Sequence, residues 1–172
     1  MRFIIAFSLS ITIALAQQPA ELGKHLVFKH LIGTWKADGE LKGEDNKVVT
    51  IAEDWKGSAG SDGTFLIDGT RTLNGETKTF KWTFTHNPAT DTFDAVLTGQ
   101  DGDQPLRFEA SISDVNCTIE LKAITGTNSS ITVKEEFADE KRETLSSHVT
   151  FTGDAGQVTL EGVITHKKQK EP

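Results

Sequence analysis

The sequence predicts an all-β fold, a single up-and-down antiparallel β-barrel of about ten strands with a short N-terminal helix capping one end. After residue 30, apolar and polar residues alternate in short segments, most clearly over residues 80–86. Clusters of Gly, Asn, Asp and Pro separate these segments, as turns separate strands. An open sheet of about ten such strands would leave two unpaired edges and a broad apolar face, and closure into a barrel removes both.

Residues 1–16 have the features of a secretory signal peptide. Arg2 supplies a positive charge, residues 3–15 form a short apolar run, and Ala14 and Ala16 provide a small-x-small cleavage site. The apolar run is too short to span a bilayer comfortably, and no later stretch is apolar enough to do so. We therefore expect a soluble, secreted or periplasmic protein in which residues 17–172 form one β-barrel domain.

The turn signals divide the remaining chain into one helix and ten strands. The only helical spacing lies in residues 21–32, where Phe28 and Leu31 share a side, and Gly33 ends it. Cys117 is the only cysteine, so the fold must hold without an intramolecular disulfide. Every connection is short, which favours an up-and-down barrel over a Greek-key sandwich. The predicted strands are 34–42, 48–57, 64–73, 76–86, 92–99, 105–113, 115–124, 130–138, 142–151 and 157–167.

The dipeptide Asn74-Gly75 predicts a type I′ hairpin turn, because both residue types tolerate positive φ. This turn places Phe65 opposite Phe84 and Ile67 opposite Trp82, all on one face. The same alternation along the chain predicts a nearly continuous apolar interior. Its members are Trp35, Leu41, Val49, Ile51, Trp55, Phe65, Ile67, Phe80, Trp82, Phe84, Phe93, Ala95, Leu97, Leu106, Phe108, Ile112, Cys117, Ile119, Leu121, Ile131, Val133, Phe137, Leu145, Val149, Phe151, Val158, Leu160 and Ile164.

Several polar residues fall in phase with this interior. An unpaired charge in a barrel core costs several kcal/mol, so each needs a reason to be there. One reason is a polar set that orients a ligand in an apolar cavity. The other is that Glu53, Arg71 and Glu135 satisfy one another as buried ions, or that a bulge turns one of them to solvent. The candidate ligand-binding residues are Glu53, Phe65, Arg71, Trp82, Phe84, Phe108, Glu135 and Ser147.

A second candidate group lies at the helix-capped end. Pairing the last two strands so that Phe151 faces Val158 sets Glu143 opposite His166. A carboxylate beside an imidazole favours the protonated ring, so this pairing predicts a raised pKa for His166. The end of strand four brings His86 to the same end. The predicted closed-end cluster is Trp35, His86, Glu143 and His166.

Two motifs resemble those of lipocalins and other calycins. Residues 31–35 (Leu-Ile-Gly-Thr-Trp) are similar to the Gly-x-Trp start of the first calycin strand, and residues 84–93 resemble a turn found in an uncharacterised bacterial family of secreted lipocalin-like domains. The resemblance covers nearly all of residues 22–168 and implies a fold without an activity. In calycins a basic residue of the last strand stacks on the first-strand tryptophan, which implies His166 or Lys167 in that role. The chain is similar more loosely to nitrobindin-type barrels, which ligate haem through a late histidine.

The composition excludes some functions and leaves others open. A net charge of −7 gives no basic surface for nucleic acid or anionic lipid. Asn116 and Asn128 head glycosylation acceptor patterns, relevant only in a eukaryotic secretory route. The absence of a nucleophile motif or phosphate loop favours non-catalytic binding of a small apolar molecule. The alternatives are a haem- or metal-dependent enzyme that uses the inward His, Glu and Arg residues, and a solid-cored barrel that acts through its surface. The oligomeric state cannot be read from the sequence.

Overall fold

Ten antiparallel strands close into a barrel in which each strand pairs with its neighbours along the chain and the first pairs with the last. This architecture confirms the predicted fold class. The computed structural model describes residues 22–87, 92–99, 104–126 and 128–170. The predicted signal peptide lies outside the described residues.

The helical segment precedes the barrel and is interrupted. A 3₁₀ turn over Leu22–Lys24 is followed by helix α1, Leu26–Leu31. In the described ranges, neither helical segment has the length and hydropathy of a membrane span. The strands are β1 (Gly33–Gly43), β2 (Val48–Ala59), β3 (Phe65–Leu73), β4 (Glu76–Asn87), β5 (Thr92–Thr98), β6 (Leu106–Ser113), β7 (Thr118–Ile124), β8 (Ser130–Phe137), β9 (Thr144–Thr152) and β10 (Val158–Lys168).

The hairpin between β3 and β4 has the predicted turn and register. Asn74 and Gly75 have φ values of 48° and 90°, as a type I′ turn requires. Phe65 pairs with Phe84, and Ile67 pairs with Trp82. The Asn74 side chain also accepts a hydrogen bond from the backbone N–H of Thr50, at 3.0 Å. The two-residue turn therefore sets the register of this part of the barrel.

The register predicted for the last hairpin is wrong by two residues. An irregularity between Val158 and Leu160 shifts the pairing, so that Phe151 faces Leu160 and His166 faces Leu145. The turn consumes more residues than predicted, because Gly153 N–H donates to the Gln157 carbonyl and closes a wider loop. Val158 consequently leaves the predicted interior and is 44% exposed.

Helix α1 closes the end of the barrel at which β1 begins, called the closed end below. The ring of Phe28 packs against Phe65 and Phe84, with centroids 4.6 and 5.3 Å away. Gly57 on β2 permits the end of α1 to lie close to the barrel wall, because a Cβ at this position would be 2.3 Å from the Leu31 carbonyl oxygen. In the first turn of the helix, the Asp114 carboxylate accepts a hydrogen bond from the backbone N–H of Val27 at 3.2 Å. The closed end is thus filled with side chains, and free space inside the barrel lies beyond it.

Candidate ligand-binding site

The barrel interior contains a partly open cavity of about 210 Å³ between the closed end and the opposite, hairpin-bearing end. Most of its wall is apolar, as in the binding sites of small molecules. A dry cavity of about 150 Å³ holds benzene, so by proportion this one has room for roughly eight non-hydrogen atoms. The apolar lining residues are Leu41, Val49, Ile51, Trp55, Ile67, Leu73, Phe80, Trp82, Leu97, Leu106, Phe108, Ile131, Val133, Leu145, Val149, Phe151, Leu160 and Ile164.

Five polar side chains interrupt this wall, and two of them form an ion pair. Arg71 Nε lies 2.5 Å from Glu53 Oε1, and the Glu53 side chain is 4% exposed. The guanidinium carbon of Arg71 sits 4.8 Å from the centroid of the Phe80 ring. Glu53 and Arg71 therefore neutralise each other, as one of the two sequence interpretations anticipated for them.

The other three polar side chains form a hydrogen-bonded chain that starts at Trp55. Trp55 Nε1 donates to His166 Nδ1 at 3.0 Å, His166 Nε2 lies 2.9 Å from Ser147 Oγ, and Ser147 Oγ donates to Glu135 Oε1 at 3.2 Å. An indole nitrogen is only a donor, so Nδ1 must be the acceptor and the single ring proton must reside on Nε2.

The chain therefore holds His166 as a neutral imidazole. Burial lowers the pKa of His166, and the charge of Arg71 acts in the same direction. The Glu53 carboxylate, with Oε2 3.9 Å from His166 Nδ1, opposes this shift without overcoming it. The predicted rise in the His166 pKa is thus wrong, both because Glu143 is not its neighbour and because the ring is buried.

The chain ends at a carboxyl oxygen that has no partner. Glu135 Oε2 is buried and makes no hydrogen bond within the described part of the chain. Burial raises the pKa of Glu135 from 4.5 to about 7; the nearby charge of Glu53 adds to the shift, while the Ser147 hydrogen bond and the Arg71 charge oppose it. Close to neutral pH, this carboxyl group is therefore divided between its charged and uncharged forms.

Six of the eight residues predicted to bind a ligand lie in the cavity wall. They are Glu53, Arg71, Trp82, Phe108, Glu135 and Ser147. Phe65 and Phe84 also point inward, but they are buried beneath α1 and do not reach the cavity. Sequence reasoning identified His166 as an inward polar residue but assigned it to the closed-end cluster, and it missed the hydrogen bond between Trp55 and His166, which are 111 positions apart.

The residues of the predicted closed-end cluster do not converge. Trp35 is buried and stacks on Trp55, with centroids 5.2 Å apart, whereas His86 packs against Phe93 at 5.1 Å. Glu143 is exposed just before β9, and His166 belongs to the cavity.

The basic residue next to the first-strand tryptophan is Lys168, not His166 or Lys167. Its Nζ lies 5.5 Å from the centroid of the Trp35 ring and donates to the His30 carbonyl at 2.9 Å. One side chain thus covers the tryptophan and also binds the last turn of α1.

The cavity does not fit haem. The one histidine in its wall, His166, uses both ring nitrogens in hydrogen bonds, so neither is free for iron. The cavity also has room for only roughly eight non-hydrogen atoms, so most of a four-ring macrocycle would lie outside it. Across the described ranges, no group of three or more His, Cys, Asp or Glu side chains is arranged to hold a metal ion.

Comparison with known proteins identifies a fold. No protein-family profile matches the sequence, and no curated protein matches it. Among solved structures, the chain is similar to the S-type phycobiliprotein lyase CPES from Guillardia theta, at 10% identity and a TM-score of 0.62 over 84% of this chain and 92% of that one. It is also similar to Rv2717c from M. tuberculosis, at 12% identity and a TM-score of 0.57 over 82% and 94% of the two chains. These likenesses show that the chain shares the overall fold of these two proteins, and the strand pairing identifies that fold here as a closed ten-stranded antiparallel barrel.

Proposed function

We propose that this protein binds a small, mainly apolar molecule inside its barrel without chemically changing it. The observation that carries the proposal is the cavity of about 210 Å³, which a solid-cored barrel would not have. Burying a ring-sized ligand removes apolar surface from water on both partners, which favours binding. The neutral His166 supports a non-catalytic role, because both of its ring nitrogens are already engaged.

A titration with ethylbenzene, followed by tryptophan fluorescence, tests this proposal. Ethylbenzene has eight non-hydrogen atoms, and Trp55 and Trp82 in the wall report its entry. Val133→Phe fills the cavity and should weaken binding at least tenfold. Val163→Phe is the matched control, because Val163 lies on β10 and is 41% exposed. If ethylbenzene and polar single-ring compounds of the same size all fail to bind saturably to the wild-type protein, the proposal is wrong.

We also propose that the protein is exported as a lipocalin-like domain of the bacterial kind that its motifs resemble. The N-terminal charge, the short apolar run and Ala14-x-Ala16 support export. Mass spectrometry of the secreted or periplasmic fraction should find a chain that begins at Gln17. Retention of residues 1–16 in a purely cytoplasmic protein would contradict export.

A further inference from the structure

We propose that the molecule held in the cavity is a compact cation, a single-ring compound with one protonated amine that donates to Glu135 Oε2. This inference rests on the proposed function and names the class of its ligand. It starts from the one buried polar atom in the described part of the chain that lacks a partner. A buried acceptor without a donor costs about 1 to 3 kcal/mol, and a ligand donor would recover that cost.

The charge balance of the wall favours a cation over a neutral donor. Glu53 and Arg71 cancel each other, and His166 is neutral. The groups around Glu135 are Ser147 on β9, Glu53 on β2, Arg71 on β3 and His166 on β10, while β7 presents the apolar Ile119 opposite it. An ionised Glu135 is therefore the uncompensated charge of the described wall, and a ligand ammonium neutralises it.

The proton affinities of an amine and of Glu135, together with the aromatic residues of the wall, also favour a cationic ligand. An ordinary alkyl amine has a pKa near 10, well above the value of about 7 for Glu135, so the proton stays on the amine when the two meet. The resulting hydrogen bond has charge on both sides, the strongest kind available to a protein. Trp82 and Phe108 lie with ring centroids 5.0 Å apart in the same wall and provide faces for an aromatic ring or a cation.

Three probes of equal size separate charge from shape: benzylamine, benzyl alcohol and ethylbenzene. At pH 8 we expect wild-type protein to bind benzylamine at least tenfold more tightly than either of the others. Lowering the pH to 5.5 protonates Glu135, so the affinity for benzylamine should fall roughly tenfold or more. The affinity for ethylbenzene should stay constant over this range. This pH series needs no variant and is measured on the intact protein.

Glu135→Gln should remove most of the preference for benzylamine and leave ethylbenzene binding in place. Glu136→Gln is the matched control, since Glu136 follows on the same strand but points outward to Lys134 and His148. If ethylbenzene binds and benzylamine is not preferred, the cation inference is overturned and the proposed function survives. If none of the three probes binds, both are overturned.

Discussion

The raised pKa of Glu135 makes the stability of the barrel depend on pH in a way that one substitution should abolish. The folded state holds the Glu135 proton more tightly than the unfolded state, with pKa values of about 7 and 4.5. Its stabilising contribution is therefore fully present below pH 4.5 and is lost as the pH rises through 7. One pKa unit corresponds to about 1.4 kcal/mol, so the wild-type protein should lose roughly 2 to 3 kcal/mol from this residue between pH 5 and pH 8.

Glu135→Gln replaces the titrating carboxyl group with an amide. The free energy of unfolding of this variant should therefore not include the loss with rising pH that Glu135 causes in the wild type. Urea unfolding of both proteins at pH 5 and pH 8 gives four free energies of unfolding. The change with pH should be smaller in the variant by roughly 2 to 3 kcal/mol, or by roughly 4 to 12 °C in melting temperature for a domain of this size. Comparing changes with pH cancels any constant cost of placing an amide at this position. Glu136→Gln should change with pH as the wild type does.

Two results would refute this reasoning. If the wild type and Glu135→Gln lose the same free energy between pH 5 and pH 8, then the Glu135 carboxyl is hydrated in the folded state and the cavity is not closed around it. If the wild type becomes more stable as the pH rises through 7 and the variant does not, the sign of the shift is wrong. Neither result would change the assignment of the fold.

Three further predictions concern packing, the closed end and a turn. Trp82→Ala should lower the free energy of unfolding by about 3 kcal/mol in chemical denaturation, because it enlarges the cavity and strips the ring from its neighbours; a loss below about 1 kcal/mol would mean that the ring contributes little packing. Lys168→Met should cost about 1 to 2 kcal/mol, because it leaves a helix carbonyl and a tryptophan face uncovered, whereas Lys167→Met, at an exposed position, should be nearly neutral by the same assay. Asn74→Ala should cost about 1 to 2 kcal/mol through its positive φ and its lost hydrogen bond, and Asn74→Gly should cost less.

The fold could be predicted from the sequence because strand alternation depends only on parity. A side chain faces the interior or the solvent according to whether its position is odd or even along a strand. The last hairpin shows the limit of this rule. A slip of two residues keeps the same parity, so His166 still faces inward, but it moves the side chain about 7 Å along the neighbouring strand. Parity thus predicted that His166 faces the interior, but it gave no information on the level of the side chain, that is, on how far along the barrel it lies.

The same limit explains which residues of the candidate site could be predicted from the sequence and which could not. Glu53, Arg71, Glu135 and Ser147 were identified because each is a polar residue at an inward position. Phe65 and Phe84 share that face, yet they lie at the level of α1 and fill the closed end. The short Asn-Gly turn fixes both the face on which the paired side chains lie and their level along the barrel. The wider turn after β9 does not fix their level. Contacts such as that between Trp55 and His166 depend on level across the whole chain, so no local pattern predicts them.

The pairing of β1 with β10 has a consequence for how the barrel is completed during synthesis. Every other strand pair joins strands that are consecutive in the chain. The β1–β10 pair, called the seam below, joins residues that are far apart in sequence, such as Gly39 and Ile164. A nascent chain that has released nine strands still exposes two unpaired edges, and Trp55 has no acceptor until residue 166 emerges. Partly synthesised chains should therefore be the species most prone to aggregate, and joining the seam should be the slow step of folding. A chain that stops short of β10 would lose a wall of its cavity and also the histidine that orders the polar groups within it.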